Sequence, residues 1–539
     1  MKKHLLILES SGQRILVTEG ITYLEAIRES GLYVPSECGG RGTCGKCKIA
    51  ITPTLQTSQS DRRHLSKNEL DRGVRLACNH TIDTDSRIVA SGALPDMRIL
   101  TEGVSDVIEP MIDEGRSGEY GAAIDIGTTT IVVYLLDLGT GQQLAATSEL
   151  NPQVAYGEDI VTRLTSAKES DANRQALQSQ VVGTIESLLI KALNASNIRK
   201  SALTNLSVVG NTVMHHFFLG LDTSTLSVAP FSPALKSAQV VQTKLLGFDE
   251  INAKAYCGPL IGGFVGSDIT SLIISQNLHE TDDIVLGIDI GTNGEIVLSN
   301  KGDLYAASTA AGSAFEGATI SRGMRGQVGA IEHVTISEVN EPPEITVIGY
   351  TTPKGLCGSA IVDVVAELRK VNLVSIEGRL SESKRILREP INSLGYIVVD
   401  TTEHGRKERI LFTQKDIRQV QLAKAAINAG SMVLLNIAGV PVDSIDRILL
   451  AGAFGSYIQP MSALRIGLIP DVSIERILQV GNTAGQGAKM MLLSSDICRL
   501  AEEIVKSINH IELAGNMKFQ KEFVRATQFP AFHQKSNSE

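Results

Sequence analysis

Residues 123–132 read AIDIGTTTIV, and residues 287–296 repeat the pattern as GIDIGTNGEI, 164 residues later. Each stretch joins an apolar strand that carries one aspartate to a Gly-Thr turn and a second strand, as in a β-hairpin. The tip of such a hairpin can present N–H groups and hydroxyls to a phosphate. An aspartate in an apolar strand is costly without a cation, and bound Mg²⁺ would supply one. The repeat therefore predicts two facing phosphate-binding loops.

A third glycine-rich element lies further along the chain. Residues 448–456, ILLAGAFGS, predict a strand that enters a turn and then a helix, and residues 480–485, VGNTAG, predict a second turn. Such turns let a flat ring lie against backbone. In this order the elements resemble the two phosphate motifs and the adenosine motif of the superfamily of acetate and sugar kinases, heat-shock chaperones and actin. That resemblance implies two ribonuclease-H-like lobes that clamp ATP between them.

The resemblance also implies roles for individual residues. Asp125 and Asp289 are the implied catalytic residues, which hold Mg²⁺ or its waters. The implied nucleotide contacts are Thr128, Thr129, Gly291, Thr292 and Asn293 for the phosphates, and Gly452 and Ala453 for adenosine. The chemistry is positioning and charge neutralisation, the main work of phosphoryl transfer. A lone Asp-Gly-Thr is only a turn, but two copies and the glycine-rich strand together indicate nucleotide binding.

Four of the seven cysteines lie within the first 78 residues. Cys38, Cys44 and Cys47 belong to the loop CGGRGTCGKC, and Cys78 follows after a long insertion. Three clustered thiolates and a distant fourth are the arrangement that holds a [2Fe-2S] cluster. Zinc is the alternative, although its ligands usually come as two paired hooks. The loop glycines allow unusual backbone angles that turn amide N–H groups toward cluster sulfurs.

This cysteine segment, about residues 1–95, resembles a ferredoxin with a β-grasp fold. Five residues separate the first two cysteines, whereas the plant-type pattern has four, which favours the adrenodoxin-like branch. Residues 5–8 and 15–17 predict a hairpin upstream of the loop. Thr22 and Glu25 predict the capping box of a following helix.

We expect a multidomain α/β protein: an N-terminal β-grasp [2Fe-2S] ferredoxin domain, then a two-lobed actin/ribonuclease-H-like ATPase. The predicted divisions are 1–95 for the ferredoxin domain, 96–118 for a linker, 119–280 and 281–515 for the ATPase lobes, and 516–539 for a fraying tail. The linker has six acidic and two basic residues. It is either a flexible connector with a reach of about 25 Å or a segment packed through its apolar side chains.

Composition excludes several classes of protein. The 539 residues carry a net charge of −9 and no tryptophan, which argues against nucleic acid as a partner. No apolar run approaches the ~18 residues of a membrane span, and Glu9 interrupts the apolar start. We therefore expect a cytoplasmic protein that binds no membrane. Residues 1–95 carry 13 basic and 10 acidic side chains, and Arg41 and Lys46 in the cysteine loop suggest either an acidic redox partner or a merely solvated loop.

Further segments extend the resemblance over nearly the whole chain. They are VGNT at 209–212, GP at 258–259, GSD at 266–268, AFEGA at 314–318 and LCGSA at 356–360. With the ferredoxin domain, they resemble the ATP-dependent reductive activators of corrinoid proteins. The resemblance implies electron transfer from the [2Fe-2S] cluster to a cobalt(II) corrinoid, which regenerates cobalt(I).

The implied partners are the corrinoid-binding protein of a methyltransferase system, a low-potential electron donor and a second copy of the chain in a homodimer. Two other functions use the same motifs. One is a small-molecule kinase with a regulatory iron-sulfur domain, and the other is a non-enzymatic electron carrier.

Overall fold

The computed structural model describes residues 2–9, 13–30, 34–36, 38–90, 112–388, 394–404 and 408–531. Within these ranges the chain folds into a ferredoxin-like domain and two lobes, each built on a mixed sheet. The multidomain α/β class predicted from the sequence is confirmed.

The ferredoxin-like domain is a five-stranded sheet with three short helices. Its elements are β1 (Lys3–Leu8), β2 (Gln13–Thr18), α1 (Tyr23–Glu29), β3 (Lys48–Thr52), α2 (Gln59–His64), α3 (Lys67–Asp71), β4 (Val74–Leu76) and β5 (Ser86–Ala90). The strand order is β2-β1-β5-β3-β4. The predicted hairpin and the Thr22–Glu25 capping box are both present. The first three cysteines lie between α1 and β3, and Cys78 lies two residues after the end of β4.

The first lobe carries the first Asp-Gly-Thr hairpin at the centre of its sheet. Its elements are β6 (Tyr120–Ile126), β7 (Thr130–Asp137), β8 (Gln143–Leu150), α4 (Ile160–Glu169), α5 (Asp171–Ala195), β9 (Leu203–Gly210), α6 (Thr212–Leu219), β10 (Gln239–Gln242), α7 (Thr243–Leu246), β11 (Lys254–Cys257) and α8 (Ser267–Ser275). The strand order is β10-β11-β9-β6-β7-β8, with β6, β9 and β11 parallel.

The second lobe begins with three strands that carry the second hairpin, followed by two small three-stranded sheets. These elements are β12 (Ile284–Ile290), β13 (Gly294–Asn300), β14 (Asp303–Thr309), β15 (Ala330–Thr335), β16 (Glu344–Val347), β17 (Gly355–Leu356), α9 (Gly358–Lys370), β18 (Ile386–Arg388), β19 (Leu394–Val399) and β20 (Ile410–Thr413). The remainder of the lobe comprises α10 (Gln414–Ala438), β21 (Arg447–Ala451), α11 (Gly452–Gly455), α12 (Pro460–Ile466), β22 (Ile477–Gly481), α13 (Thr483–Leu493), α14 (Ser495–Ser507), β23 (Asn509–His510) and α15 (Met517–Ala526).

The two large sheets share one topology. In the second lobe the order β22-β21-β12-β13-β14 matches β11-β9-β6-β7-β8 of the first, with the same parallel and antiparallel pairs. Both aspartate-bearing strands are central and their apolar residues are buried, which explains their continuous apolar sequence. The internal repeat of the sequence is therefore a structural duplication.

One apolar core joins the two lobes. It includes residues of β6, β7 and α8 from the first lobe and of β12, β13, β21 and α13 from the second. Helices α8 and α13 pack against each other between the two sheets. This packing places the tips of the two hairpins on opposite sides of a single cleft.

The linker and the tail differ in how far the structure describes them. Residues 112–118 pack against the second lobe, because Asp113 accepts from Ser495 and Arg116 donates to the Leu492 carbonyl; residues 96–111 lie outside the described ranges. The prediction of a fraying tail is wrong for residues 517–526, which form α15. Phe519, Phe523 and Phe529 pack against the second-lobe core, and 532–539 are not described.

Within the described part of the chain one helix, α10, is long and apolar enough to cross a membrane, but 72% of its most apolar 18-residue window is buried in the protein. It packs against β13, β14 and α15. Its apolar residues are therefore those of a core helix.

Asp61 provides a test of the ferredoxin-like fold. Its buried carboxylate accepts from the amides of Ser58 and Leu76 and contacts His80. Asp61→Ala should lower the free energy of unfolding of this domain by about 3 kcal/mol, since charge-assisted hydrogen bonds are lost in the interior. The midpoint of guanidinium unfolding, followed by the visible absorption of the cluster, measures the loss. Asp71→Ala, at an exposed position on α3, is the matched control.

The hydrogen bonds of Asp61 also predict that the stability of the ferredoxin-like domain depends on pH. Burial raises the pKa of Asp61, but its several hydrogen bonds outweigh burial and hold the pKa below its ordinary value. The stabilisation is therefore complete above the unfolded pKa of about 4 and is lost as the pH falls through the folded pKa. Equal acid sensitivity of the wild type and Asp61→Ala would contradict this account.

Candidate functional site

The cleft between the lobes is lined by both hairpin tips and by glycine-rich turns of the second lobe. The structure brings all the predicted phosphate contacts to this cleft: Thr128, Thr129, Gly291, Thr292 and Asn293. The hydroxyl oxygens of Thr129 and Thr292 lie 3.1 Å apart. Residues 163 positions apart in sequence therefore meet across the cleft.

Each hairpin tip is a tight turn closed by its own backbone. The amide of Gly127 donates to the Thr130 carbonyl at 2.9 Å, and that of Gly291 donates to the Asn293 carbonyl at 3.0 Å. The first tip is also held from behind, because Asn211 donates its side-chain amide to the Thr128 hydroxyl at 3.0 Å. These bonds fix the shape of the tips that face the cleft.

Glu316 bridges the two hairpins. Its carboxylate accepts from the hydroxyls of Thr129 and Thr292, and burial raises its pKa. The residue belongs to the segment AFEGA, and no role was predicted for it from the sequence. The signal that could have revealed it is a single carboxylate inside an apolar and glycine-rich stretch.

Besides Glu316, four carboxylates occupy the interior of the cleft: Asp125, Asp268, Asp289 and Glu295. Burial raises the pKa of Asp125 to about 6. Burial and then repulsion by Asp125 raise the pKa of Asp289 to about 7, and burial followed by repulsion from Asp289 raises that of Asp268 to about 8. Because these buried carboxylates repel one another, a cation bound in the cleft would stabilise their charged forms.

Two of these four carboxylates were not predicted. Glu295 is the cross-strand partner of Asp289, so both side chains share one face of the sheet; the corresponding partner of Asp125 is Val132. Asp268 lies in the first turn of α8. Among the described residues, no three metal-ligating side chains converge closely enough to hold one metal ion.

Gly452 closes the far side of the cleft next to Asp289. Its φ is +86°, and a Cβ at this position would lie 2.3 Å from Asp289 Oδ1. Only glycine fits between the carboxylate and the turn. The side chain of Ala453 lies outside the described part of the chain, whereas Asn482 of the second glycine-rich turn donates to Asp125 at 3.0 Å.

The four predicted cluster ligands meet as two pairs. The sulfurs of Cys47 and Cys78 are 3.3 Å apart, and a hydrogen bond from Cys44 lowers the pKa of Cys38. Backbone amides of the loop are directed at these sulfurs, including those of Gly40 and Thr43 toward Cys38 and that of Gly42 toward Cys78.

The donor set fits a [2Fe-2S] cluster. Two thiol pairs suit two iron atoms, and the amides directed at sulfur are the outer-shell donors that such a cluster uses. All four loop glycines, 39, 40, 42 and 45, have positive φ. A Cβ at Gly45 would lie within 3 Å of the ring of His64. The backbone geometry of the loop therefore favours glycine at these four positions.

Comparisons with known families cover most of the chain. Residues 6–83 match the family model of the 2Fe-2S iron-sulfur cluster binding domain. Residues 120–281 match the RACo middle region, and residues 283–538 match the C-terminal domain of RACo, described as the ASKHA domain.

Individual relatives agree with these matches. The corrinoid activation enzyme RamQ of Eubacterium limosum is 36% identical over 424 residues, which cover 76% of this chain and 70% of RamQ. The [Co(II) methylated amine-specific corrinoid protein] reductase of Methanosarcina barkeri is 22% identical, with 74% of this chain and 75% of that protein covered. The solved structure of a reductive activator for corrinoid,iron-sulfur protein superposes with a TM-score of 0.70 at 28% identity, covering 98% of both chains.

Gly452 supplies a test of the cleft. Gly452→Ala should weaken the binding of a non-hydrolysable ATP analogue by about tenfold or more, because the new Cβ collides with Asp289. Isothermal titration calorimetry measures the affinity, and the visible spectrum of the cluster should not change. Gly183→Ala is the matched control, since Gly183 lies within α5 where an added Cβ would meet open space. Equal affinities of the two variants would exclude this glycine from the nucleotide site.

Proposed function

This chain belongs to the RACo family, and from that premise we propose that it is an ATP-dependent reductive activator of a corrinoid protein. It transfers one electron from its [2Fe-2S] cluster to the cobalt(II) corrinoid of a methyltransferase-system protein and so regenerates cobalt(I). One observation supports this function above the others. A single chain carries both a site of four clustered thiols and a cleft between two lobes that is suited to a nucleotide.

ATP is needed because the electron transfer is uphill. A plant-type [2Fe-2S] cluster works near about −400 mV, and cobalt(II)-to-cobalt(I) reduction in corrinoids requires a more negative potential. Each ~59 mV of deficit costs a factor of ten in a one-electron equilibrium. Binding and cleavage of ATP change the docking of the two proteins or the axial coordination of cobalt, so that transfer can proceed.

The residues of the cleft have separate tasks in ATP binding. Asp125 and Asp289 would hold Mg²⁺ or its waters when the ion is bound together with the nucleotide. The chemistry that Mg²⁺ would supply there is neutralisation of the phosphate charge. The hydroxyls of Thr129 and Thr292 turn from Glu316 to the phosphates, and Gly452 lies on the adenosine side.

Glu316 orients the attacking water. It is a carboxylate that touches both phosphate hairpins, and once ATP takes over the threonine hydroxyls its oxygens are left beside the terminal phosphate. Because burial raises the pKa of Glu316, it is a better proton acceptor than an exposed glutamate.

The partners in this proposal are a corrinoid-binding protein and a low-potential electron donor, and the chain acts as a homodimer. A location in the cytoplasm is part of the same proposal. Light scattering of the purified chain in solution measures the predicted dimer, and a mass equal to one chain would remove the dimer from the proposal.

The function is tested by following cobalt in visible absorption under anaerobic conditions. The assay contains a cobalt(II) corrinoid protein from the same source and the reduced chain, with MgATP added or withheld. Cobalt(I) should appear only with ATP. Asp125→Asn and Asp289→Asn should abolish the ATP-stimulated reduction and leave the cluster spectrum unchanged, whereas Asp303→Asn, at the exposed start of β14, should behave as wild type.

Two outcomes of this assay would overturn the proposal. Equal cobalt(I) formation with and without ATP would indicate an electron carrier. ATP consumption that depends on a small phosphoryl acceptor, with cobalt remaining at (II), would indicate a kinase.

The role of Glu316 gives a separate prediction. Glu316→Gln keeps the size and hydrogen bonding of the side chain but cannot accept a proton, so ATP hydrolysis should slow by about tenfold or more, while the affinity for a non-hydrolysable analogue changes less than about threefold. Phosphate release and calorimetry measure the two effects. Glu338→Gln, on an exposed loop, is the control. Unchanged hydrolysis by Glu316→Gln would remove this residue from the chemistry.

A further inference from the structure

The cysteine loop contacts the first lobe. A Cβ on Gly39 would lie 2.9 Å from the Tyr156 carbonyl oxygen and 3.0 Å from Thr162 Cγ2. Arg41 Nη2 lies 3.5 Å from Thr162 Oγ1, and the Arg28 guanidinium lies 5.2 Å from the centre of the Tyr156 ring. The loop that carries three of the four cluster thiols is therefore seated on residues 156–162.

The same stretch of the first lobe supports the first phosphate hairpin. We call residues 151–163 the bridging segment. At its start, Asn151 donates twice to the hairpin, from its backbone amide to the Thr129 carbonyl and from its side chain to the Gly127 carbonyl. At its end, Arg163 donates to the Thr128 carbonyl at 2.6 Å. Three successive carbonyls of the hairpin tip are thus bonded to the bridging segment.

Arg163 makes this connection stiff. Its side chain is fully buried, and besides Thr128 it donates to the Gly157 carbonyl within the bridging segment. A displaced hairpin tip would take away a buried hydrogen-bond acceptor of the guanidinium, which is costly. The tip and the bridging segment therefore move together.

The bridging segment also reaches the second lobe. Glu158 forms an ion pair with Arg325 at 3.2 Å, and Arg325 lines the cleft close enough to Glu316 to lower its pKa. Both Glu158 and Arg325 interact electrostatically with Glu316. A nucleotide that separates Glu316 from the threonine hydroxyls therefore changes the electrostatic environment of both residues of this ion pair. Two routes therefore lead from the phosphate site to residues 156–162.

The contact with the cysteine loop is suited to release. Among the described residues it includes van der Waals packing at Gly39 and a long polar contact at Arg41. A cation–π contact from Arg28 of α1 lies beside them, and interactions of these kinds are individually weak. The bonds between the bridging segment and the hairpin are shorter, at 2.9 Å from Asn151 and 2.6 Å from Arg163, and the bond from Arg163 is buried. A shift of the hairpin is therefore expected to break the loop contact first.

We propose that the bridging segment is a nucleotide-dependent docking surface for the chain's own cysteine loop. Without nucleotide the loop is held on Tyr156 and Thr162. Nucleotide phosphates part the hairpins, the bridging segment follows the first hairpin, and the loop is released to face a redox partner. This inference rests on the proposed function only for nucleotide binding in the cleft, and Arg163 is its positioning residue.

Hydrogen–deuterium exchange of the full chain with its cluster tests the docking. Without nucleotide, amides of residues 156–162 should be protected, and a saturating magnesium complex of a non-hydrolysable ATP analogue should speed their exchange by about fivefold or more. Thr162→Arg places bulk and a second cation against Gly39 and Arg41, so exchange should be fast with or without nucleotide. Thr165→Arg, one turn later at an exposed position of α4, is the matched control.

A second variant shows whether fast exchange in Thr162→Arg comes from loss of docking or from misfolding of the first lobe. Arg41→Glu alters an exposed side chain of the ferredoxin domain and places a carboxylate near Asp159, which accepts from Thr162. It should release the bridging segment without any change to the sequence of the first lobe. Slow, wild-type exchange in both Thr162→Arg and Arg41→Glu would overturn the docking surface.

Calorimetry on the same samples separates this inference from the proposed function. Exchange that does not change when the analogue binds would overturn the nucleotide dependence alone. A clear exchange response in a chain that never reduces cobalt would instead overturn the proposed function and leave the docking intact.

Discussion

The repulsion among buried carboxylates is the constraint on which the cleft depends. Asp125 and Asp289 occupy equivalent strands of two duplicated sheets, and the packing of α8 against α13 brings them to one cavity together with Asp268 and Glu295. Their pKa values rise because burial disfavours charge and neighbouring carboxylates repel one another. The magnesium–nucleotide complex proposed for this cleft would relieve both costs, since its cation would offset the negative charge of the carboxylates. Part of the free energy of nucleotide binding would then be available to rearrange the hydrogen bonds between the hairpin tips.

Across the mouth of the cleft, a small set of hydrogen bonds links the two hairpin tips. Glu316 and the two threonine hydroxyls occupy the space between the tips. Behind the first tip, Asn151 and Arg163 fasten it to the bridging segment, and the bridging segment carries the cysteine loop on its outer side. The electron-transfer loop and the nucleotide site are therefore separated by a single, stiff piece of backbone. Under the docking proposal, an event at the phosphates would alter the exposure of the cluster loop.

The sequence predicted the local features well. The repeated aspartate strands, the hairpin predicted from residues 5–8 and 15–17, and the Thr22–Glu25 capping box depend on neighbours close in the chain, and all are present. The error at residues 517–526 has a tertiary cause: α15 is polar on one face, and its phenylalanines are stabilised by packing on the second-lobe core. Glu316 and Arg163 had no sequence signal that fixed their roles, because each works through partners 24 to 187 residues away.

The sequence by itself determined which chemical groups the protein carries: two aspartates on duplicated strands, a glycine-rich turn and four cysteines in a loop whose glycines all adopt positive φ. These properties follow from residue type and short spacing, since strand, turn and loop geometry are set within a few residues. Only the tertiary structure decided which groups meet. The clustering of four carboxylates, the Glu316 bridge and the seat of the cysteine loop on Tyr156 and Thr162 arise from packing of distant segments, where no local pattern specifies the distance.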